Sequence, residues 1–166
     1  MKIIFLDIDG VMNFEKTFIF KDKRDKRYGT DRLEIDNKRV RMLKQLIDDT
    51  GAKVVLSSGW RGGWVYRDNG ESSSNFSVYL FNRLEKYFKQ SGIEFYDKTK
   101  VLGVERGKEI MSWLANCQEP IESFVVFDDV GYDMGAVGDN FICTSMKTGL
   151  LPYHIERAKQ ILNSGS

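Results

Sequence analysis

The fold is decided by the stretch Met1-Lys2-Ile3-Ile4-Phe5-Leu6-Asp7-Ile8-Asp9-Gly10. Its apolar run is continuous rather than alternating, which is typical of a strand buried on both faces of a sheet. The run ends at Asp7 and Asp9, and residues two apart in a strand point the same way. Two carboxylates so close repel each other unless a cation neutralises them or one of them stays protonated. We therefore expect Asp7 and Asp9 to belong to a functional site.

The composition limits the class of protein. The chain has 166 residues, of which 42% are hydrophobic and 30% are charged, and this fits one domain with a substantial core. We expect that domain to cover residues 1–162, with residues 163–166 as a flexible tail. The formal net charge of +1 argues against a bulk nucleic-acid binder but is compatible with a local basic patch.

The sequence has no feature of a membrane or exported protein. No segment has about 18 consecutive apolar residues, so no transmembrane helix is expected. The first apolar stretch is too short for a signal peptide and meets acids at once. Cys117 and Cys143 lack metal-ligand spacing, and they either form a single disulfide or, as we expect, are reduced, buried thiols. We therefore expect a cytoplasmic protein.

The rest of the chain alternates between strand and helix patterns. A helix is predicted over residues 37–50, with Asp36 as its N-cap and Gly51 past its end. Apolar strands are predicted within 53–58, ending in two hydroxyls, and within 123–129, ending in paired acids. This alternation implies a mostly parallel sheet covered by helices on both faces.

Two longer segments are interpreted as loops. Residues 11–28 include a charge run, 21–27, with five bases and two acids, which is either a solvated loop or a basic flap over an anionic substrate. The stretch from Arg61 to Asn75 is rich in Gly, Ser and Asn, a composition typical of loops. Both segments are too short for a large cap domain, so we expect an open site.

The polar ends of the strands predict one shared site. In open α/β sheets, ligands bind beyond the carboxyl ends of the strands. Carboxylate oxygens there suit Mg²⁺, and hydroxyls and a helix N-terminus suit phosphate. The residues expected to converge are Asp7, Asp9, Ser57, Ser58, Asp128 and Asp129, with Arg106 and Lys108 at the start of a helix facing the same rim.

These residues resemble the motifs of the haloacid dehalogenase-like (HAD) superfamily. Asp7-Ile8-Asp9-Gly10 is similar to the first motif, and Val54-Val55-Leu56-Ser57-Ser58 to the second. Arg106-Gly107 resembles the usual Lys-Gly of the third motif, with Lys108 as a competing candidate. The fourth motif, paired acids with a further Asp, resembles residues 128–133.

Three short stretches narrow the resemblance to a subgroup of small HAD proteins without a large cap, some of whose relatives are linked to RNA repair. These stretches are Leu56-Ser-Ser-Gly-Trp-Arg61, Arg106-Gly-Lys-Glu-Ile110 and Thr148-Gly-Leu150. We expect a three-layer α/β/α sandwich with a Rossmann-like, five-stranded parallel sheet in the order 5-4-1-2-3.

The resemblance also implies a mechanism. Asp7 attacks phosphorus and forms an aspartyl-phosphate, while Asp9 protonates the leaving oxygen and later deprotonates water. Mg²⁺ is held by Asp7, by the backbone carbonyl of Asp9, and by Asp129 or Asp128. The phosphate oxygens are held by one of two serines and one of two bases: Ser57 or Ser58, and Arg106 or Lys108. Apolar-strand length favours Ser57, and matching the following Gly59 favours Ser58.

Three further residues are possible substrate contacts. Trp60 either stacks on a base or sugar or packs at the edge of the core. Arg61 either binds a second anionic group or pairs with a surface acid. Asp133 orients the basic residue of the third motif or a metal-bound water.

The predicted function is a Mg²⁺-dependent phosphatase that acts on a small-molecule phosphate or a nucleic-acid end. The resemblance implies this function because family members that lack an acid at the place of Asp9 tend to do other chemistry. Nucleic-acid end processing is a separate hypothesis, motivated by Trp60, Trp64 and the charge run 21–27. A non-catalytic phosphate- or protein-binding module is the third.

Overall fold

A computed structural model describes residues 1–18 and 34–164 of the chain. The charge run 21–27 and most of the predicted flap lie outside the described residues, as do residues 165–166 of the predicted tail. In the described part of the chain, no helix is long and apolar enough to cross a membrane.

Five parallel strands form one sheet in the order β3-β2-β1-β4-β5. The predicted order 5-4-1-2-3 is the same order counted from the opposite edge, so this prediction is confirmed. The strands are β1 (Lys2–Leu6), β2 (Lys53–Leu56), β3 (Phe95–Lys98), β4 (Ser123–Asp128) and β5 (Phe141–Cys143).

Helices cover both faces of this sheet, which confirms the three-layer architecture. The helices are α1 (Asn37–Thr50), α2 (Arg61–Asp68), α3 (Phe76–Gln90), α4 (Arg106–Asn116) and α5 (Pro152–Asn163), with a 3-10 helix at Gly135–Asn140. One core contains Leu43 of α1, Phe81 of α3 and Ala158 of α5. The other core contains Ile110 of α4 and Val137 of the 3-10 helix.

The register of the three central strands brings their carboxyl ends level. Leu6 is paired with Leu56 on β2 and with Phe127 on β4. The Asp7 backbone N–H then donates to the Phe127 carbonyl at 3.0 Å, and the Ser57 N–H donates to the Leu6 carbonyl at 2.9 Å. The polar residues that follow these strands therefore emerge at one rim.

Helix α1 begins and ends as its local sequence predicts. The Asp36 side chain accepts a hydrogen bond from the Arg39 N–H at 3.1 Å, which satisfies a backbone donor of the first turn. Gly51 has a φ of 68°, the left-handed conformation that glycine adopts at little cost past a helix end.

The predicted loop from Arg61 to Asn75 is partly wrong, because α2 forms over Arg61–Asp68. A Cβ at Gly63 would lie 2.0 Å from the Ser77 carbonyl oxygen, so the glycine permits close approach of α2 to α3. Trp64 stacks on Phe81 with ring centroids 5.2 Å apart. Glycine lowers intrinsic helix propensity, but here tertiary packing outweighs that preference. An eight-residue helix does not form a cap domain.

Candidate active site

Three carboxylates meet at the carboxyl ends of β1 and β4. Asp7, Asp128 and Asp129 each offer an oxygen, and these oxygens lie within 4.8 Å of one another. Asp7 and Asp128 are buried, with only 6% and 1% of their surface exposed. A set of hard oxygen donors at this spacing fits a divalent cation such as Mg²⁺.

Gly10 makes room for one of these acids. Its φ is 71°, and a Cβ at this position would lie 2.5 Å from Cγ of Asp129. The Gly10 carbonyl accepts a hydrogen bond from the buried Thr144 hydroxyl at 2.7 Å. Thr144 also donates its backbone N–H to the Asp128 carbonyl at 2.9 Å. The loops after β1 and β4 are therefore fixed to each other around the acids.

Arg106, the first residue of α4, is the base that touches this cluster. Its Nη1 donates to Oδ2 of Asp128 at 2.8 Å and to the Ser57 carbonyl at 2.9 Å, and it lies 3.2 Å from Oδ1 of Asp7. Lys108 instead forms an ion pair with Glu105 at 2.6 Å and has 61% of its side chain exposed. The structure thus brings Arg106 into the acidic cluster and leaves Lys108 in an exposed pair.

The pKa values of all three acids are raised above the ordinary value of a carboxyl group. Burial raises the pKa of Asp7 to about 7, the Asp128 charge adds to this effect, and Arg106 opposes it. Burial also raises the pKa of Asp128 and that of Asp129. Three carboxylates against one guanidinium leave an excess of negative charge, which a bound cation would offset.

Asp9 has a different environment from Asp7. Its Oδ1 accepts a hydrogen bond from Nδ2 of Asn13 at 2.7 Å, and its Oδ2 accepts one from Nε1 of Trp60 at 3.1 Å. Its side chain is not part of the three-carboxylate cluster. Neutral donors therefore hold the Asp9 side chain, and beyond the effect of burial its charge still raises the pKa of the neighbouring Asp129.

The two serines after β2 also have separate environments. The Ser58 Oγ accepts the Trp60 backbone N–H at 3.4 Å, and the Ser58 hydroxyl lowers the pKa of Asp7 against the effect of burial. The Ser57 Oγ is buried and has no hydrogen-bond partner among residues 1–18 and 34–164. A buried hydroxyl without a partner costs free energy, so a ligand that accepts from it would be stabilised.

Arg61 lies inside the protein and pairs with Glu109 of α4, whereas the sequence predicts a substrate anion or a surface acid as its partner. Its Nη2 contacts Oε2 of Glu109 at 2.5 Å, and both side chains are about 95% buried. Its Nη1 donates to the Ser58 carbonyl at 3.0 Å. This pair ties the loop after β2 to α4.

Asp133 lies beside the start of α4. Its Oδ2 accepts the Arg106 backbone N–H at 3.3 Å, and its carbonyl accepts the Gly107 N–H at 3.0 Å. A Cβ at Gly107 would lie 2.8 Å from the Asp133 carbonyl oxygen. Asp133 thus occupies the position from which it could orient the base of the third motif.

Sequence reasoning misses two residues of this site. Asn13 is fully buried and contacts Asp9, yet the only sequence signal is one polar residue among the apolar Val11-Met12-Asn13-Phe14. Glu109 lies within an ordinary helical pattern, and no local signal indicates its pairing with Arg61.

The sheet order, the paired acids after β1 and β4, and the base that opens α4 define a HAD-type hydrolase domain without a large cap in its described residues. A family model described as the HAD domain in Swiss Army Knife RNA repair proteins matches residues 3–155. The chain therefore belongs to this family of small HAD domains. Comparison with curated proteins gives no match, and comparison with solved structures gives none either.

Proposed function

We propose that this protein is a Mg²⁺-dependent phosphomonoester hydrolase that uses Asp7 as its nucleophile. The observation that carries the proposal is the cluster of Asp7, Asp128 and Asp129, with oxygens within 4.8 Å and with Arg106 against two of them. Family membership agrees with a hydrolase, and HAD enzymes generally use Mg²⁺. We further propose that residues 1–162 form a single HAD-like hydrolase domain.

The metal-binding residues of the proposal are the side chains of Asp7, Asp128 and Asp129, with the backbone carbonyl of Asp9 as a further ligand. Mg²⁺ bound there would neutralise charge on the substrate phosphate and orient it. The close approach of Gly10 to Asp129 supports this assignment, because it keeps the third carboxylate within reach of the other two.

Asp7 supplies the covalent step. Its carboxylate oxygen forms a bond to phosphorus as the bond from phosphorus to the leaving oxygen breaks, giving an aspartyl-phosphate. Water then attacks the same phosphorus and releases inorganic phosphate. The reacting oxygen must be ionised, and Arg106 at 3.2 Å favours that form.

Asp9 carries the protons in this scheme. It donates one to the leaving oxygen in the first step and removes one from the attacking water in the second, so its protonation state is restored after each turnover. A well-placed general acid–base typically contributes about 10²–10⁴-fold in rate. The Asp9 side chain lies outside the group of three acids and is held by two neutral donors, which supports a role other than metal binding by its side chain.

In this proposal, the phosphate oxygens are bound by Arg106, rather than by Lys108, and by Ser57. Arg106 reaches the nucleophile, whereas Lys108 is held by Glu105. Ser57 has a buried hydroxyl without a partner in the described structure, whereas the Ser58 Oγ accepts the Trp60 backbone N–H. A phosphate beside Asp7 would accept from Ser57 and remove the cost of that unpaired donor.

A nucleic-acid end is the second candidate substrate class. It is favoured by the family match, whose description refers to RNA repair proteins. A panel of terminally phosphorylated oligonucleotides, nucleotides and sugar phosphates separates the two candidates. Equal turnover of sugar phosphates and oligonucleotides would remove the nucleic-acid assignment.

The proposal is tested by phosphate release from an aryl phosphate with and without Mg²⁺. We expect activity that requires Mg²⁺, a loss of about 10²–10³-fold in Arg106→Ala, and little change in Lys108→Ala as the matched control. Wild-type protein that binds phosphate without hydrolysing any substrate of the panel would instead indicate the non-catalytic binding module. Equal losses in the two variants would contradict the assignment of Arg106.

A further inference from the structure

The Asp9 carboxylate is held at both of its oxygens. Asn13 Nδ2 donates to Oδ1 at 2.7 Å, and Trp60 Nε1 donates to Oδ2 at 3.1 Å. One donor comes from the turn after β1, and the other comes from the loop after β2, 51 residues away along the chain. Two donors from separate elements fix the plane of a carboxylate, whereas one donor would still let it rotate.

Asn13 is itself fixed at both ends of its amide. Its Oδ1 accepts the Gly10 backbone N–H at 3.0 Å, and the side chain is fully buried. The backbone N–H groups of Met12 and Asn13 both donate to the Ile8 carbonyl, at 2.8 and 3.4 Å. The orientation of the Asn13 amide is thereby set by the turn, with its NH₂ group directed at Asp9.

The Trp60 ring is held by packing, and the backbone N–H of this residue donates to Oγ of Ser58 at 3.4 Å. The ring is partly buried and packs against the core that contains Leu43, Phe81 and Ala158. In the chain, Trp60 is the residue immediately before α2. The indole N–H is a donor only, and Asp9 is its acceptor. Packing of the apolar part of the ring therefore positions the indole N–H beside Asp9.

We propose that Trp60 and Asn13 are positioning residues that hold the Asp9 carboxylate in the orientation needed for proton transfer. This inference rests on the proposed function. Each carboxylate oxygen has two lone pairs, so one donor on each leaves one lone pair free on each oxygen. A proton held at such a lone pair is transferred to the leaving oxygen. A proton from the attacking water later takes its place. A carboxylate free to rotate would lose that alignment.

The test uses Trp60→Phe and two aryl phosphates that differ in their need for a proton. Phenoxide is a poor leaving group and needs Asp9 as an acid, whereas dinitrophenoxide leaves without protonation. We expect kcat/KM to fall about 10- to 100-fold for phenyl phosphate and less than about 3-fold for dinitrophenyl phosphate. The Mg²⁺ concentration for half-maximal activity should not change.

Trp113→Phe is the matched control. It also removes an indole N–H from a carboxylate, because Trp113 Nε1 donates to Oδ2 of Asp97 at 2.7 Å, on β3 and outside the proposed machinery. We expect no dependence on the leaving group in this variant. Asn13→Ala should show the same selective loss as Trp60→Phe, and thermal melting shows whether that buried substitution remains folded.

A second readout does not depend on activity. In a ¹H–¹⁵N spectrum, Asp9→Asn should move the indole cross-peak of Trp60 and leave that of Trp113 in place. The inference is overturned if Trp60→Phe slows both substrates equally, slows neither, or if the Trp60 cross-peak does not respond to Asp9→Asn. A wild type that hydrolyses neither ester overturns the proposed function instead, and this result is distinct from the others.

Discussion

Asp7 and Asp9 lie two residues apart on one loop, yet their surroundings have little in common. Asp7 is buried, and its charged neighbours are Asp128 and Arg106. Asp9 contacts an amide and an indole, both neutral donors. The comparison indicates that one short motif places its two acids differently. Asp7 lies among charged groups suited to a cation and a nucleophile, and Asp9 lies between two neutral donors suited to directing a proton.

Asp7→Asn should give the largest effect, because it changes the charged surroundings shared by Asp7, Asp128 and Arg106. We expect the kcat for aryl phosphates to fall by about 10⁴-fold or more, because the covalent nucleophile is lost. Phosphate release measured at saturating substrate checks this. Activity within about 10-fold of wild type would break the distinction between the two acids, since Asp7 would then not be the nucleophile.

The same variant should stabilise the metal-free protein at higher pH. The ordinary pKa of the Asp7 carboxyl is 3.8, and burial raises it to about 7 in the folded state. Between these values the folded chain binds more protons than the unfolded chain, so wild-type stability falls as pH rises through that window. Asp7→Asn lacks this loss, and its Tm in EDTA should exceed that of wild type increasingly from pH 4 to about pH 7. A constant Tm difference would contradict the prediction.

Gly10→Ala should come next and should affect metal binding. The new Cβ would displace Asp129, so we expect the Mg²⁺ concentration for half-maximal activity to rise about 10- to 100-fold. Gly51→Ala is the matched control, because Gly51 has a similar φ of 68° but no atom within 4 Å of a Cβ. Mg²⁺ titrations of activity compare the two variants, and an equal response would show that backbone strain alone is responsible.

Gly63→Ala should give a smaller effect, confined to the Asp9 side. A Cβ there would clash with the Ser77 carbonyl and push α2 away from α3, which shifts the neighbouring Trp60. We expect a loss of roughly 1–3 kcal/mol in the free energy of unfolding and a lower kcat/KM for phenyl phosphate, with unchanged Mg²⁺ dependence.

Gly62→Ala is its control and carries the smallest expected effect. No atom lies within 4 Å of a Cβ at Gly62, so the helix propensity of alanine should stabilise the protein by up to about 1 kcal/mol. Chemical denaturation of the two variants measures both changes. Destabilisation of similar size in both would contradict the described contact between α2 and α3.

Much of the charged surroundings of Asp7 could be predicted from the sequence, because the sequence patterns that indicate these residues are local. A continuous apolar run that ends in acids marks a buried strand and its functional end, and this reasoning places Asp7 and Asp128 correctly at one rim. The caps of α1 are equally local, since Asp36 and Gly51 act within one turn of the helix ends.

The neutral side could not be predicted because its contacts are remote in sequence. Trp60 and Asp9 meet only when β2 pairs with β1. Arg61 and Glu109 meet only when α4 packs on the sheet. The choice between Arg106 and Lys108 depends on the rotation of α4 about its axis, because residues two apart on a helix point to nearly opposite sides.

The nucleophilic role of Asp7 is tested most directly by trapping the aspartyl-phosphate during turnover. Water attacks phosphorus in this mechanism, so turnover in H₂¹⁸O would label only the released phosphate and would not mark the Asp7 carboxylate. We therefore favour rapid acid quenching during turnover of a ³²P-labelled ester with Mg²⁺, followed by borohydride reduction and peptide mass spectrometry. The mechanism predicts reduction of Asp7 alone, with Asp9, Asp128 and Asp129 intact. Active enzyme that yields no modified Asp7, or a modification at another acid, would contradict it.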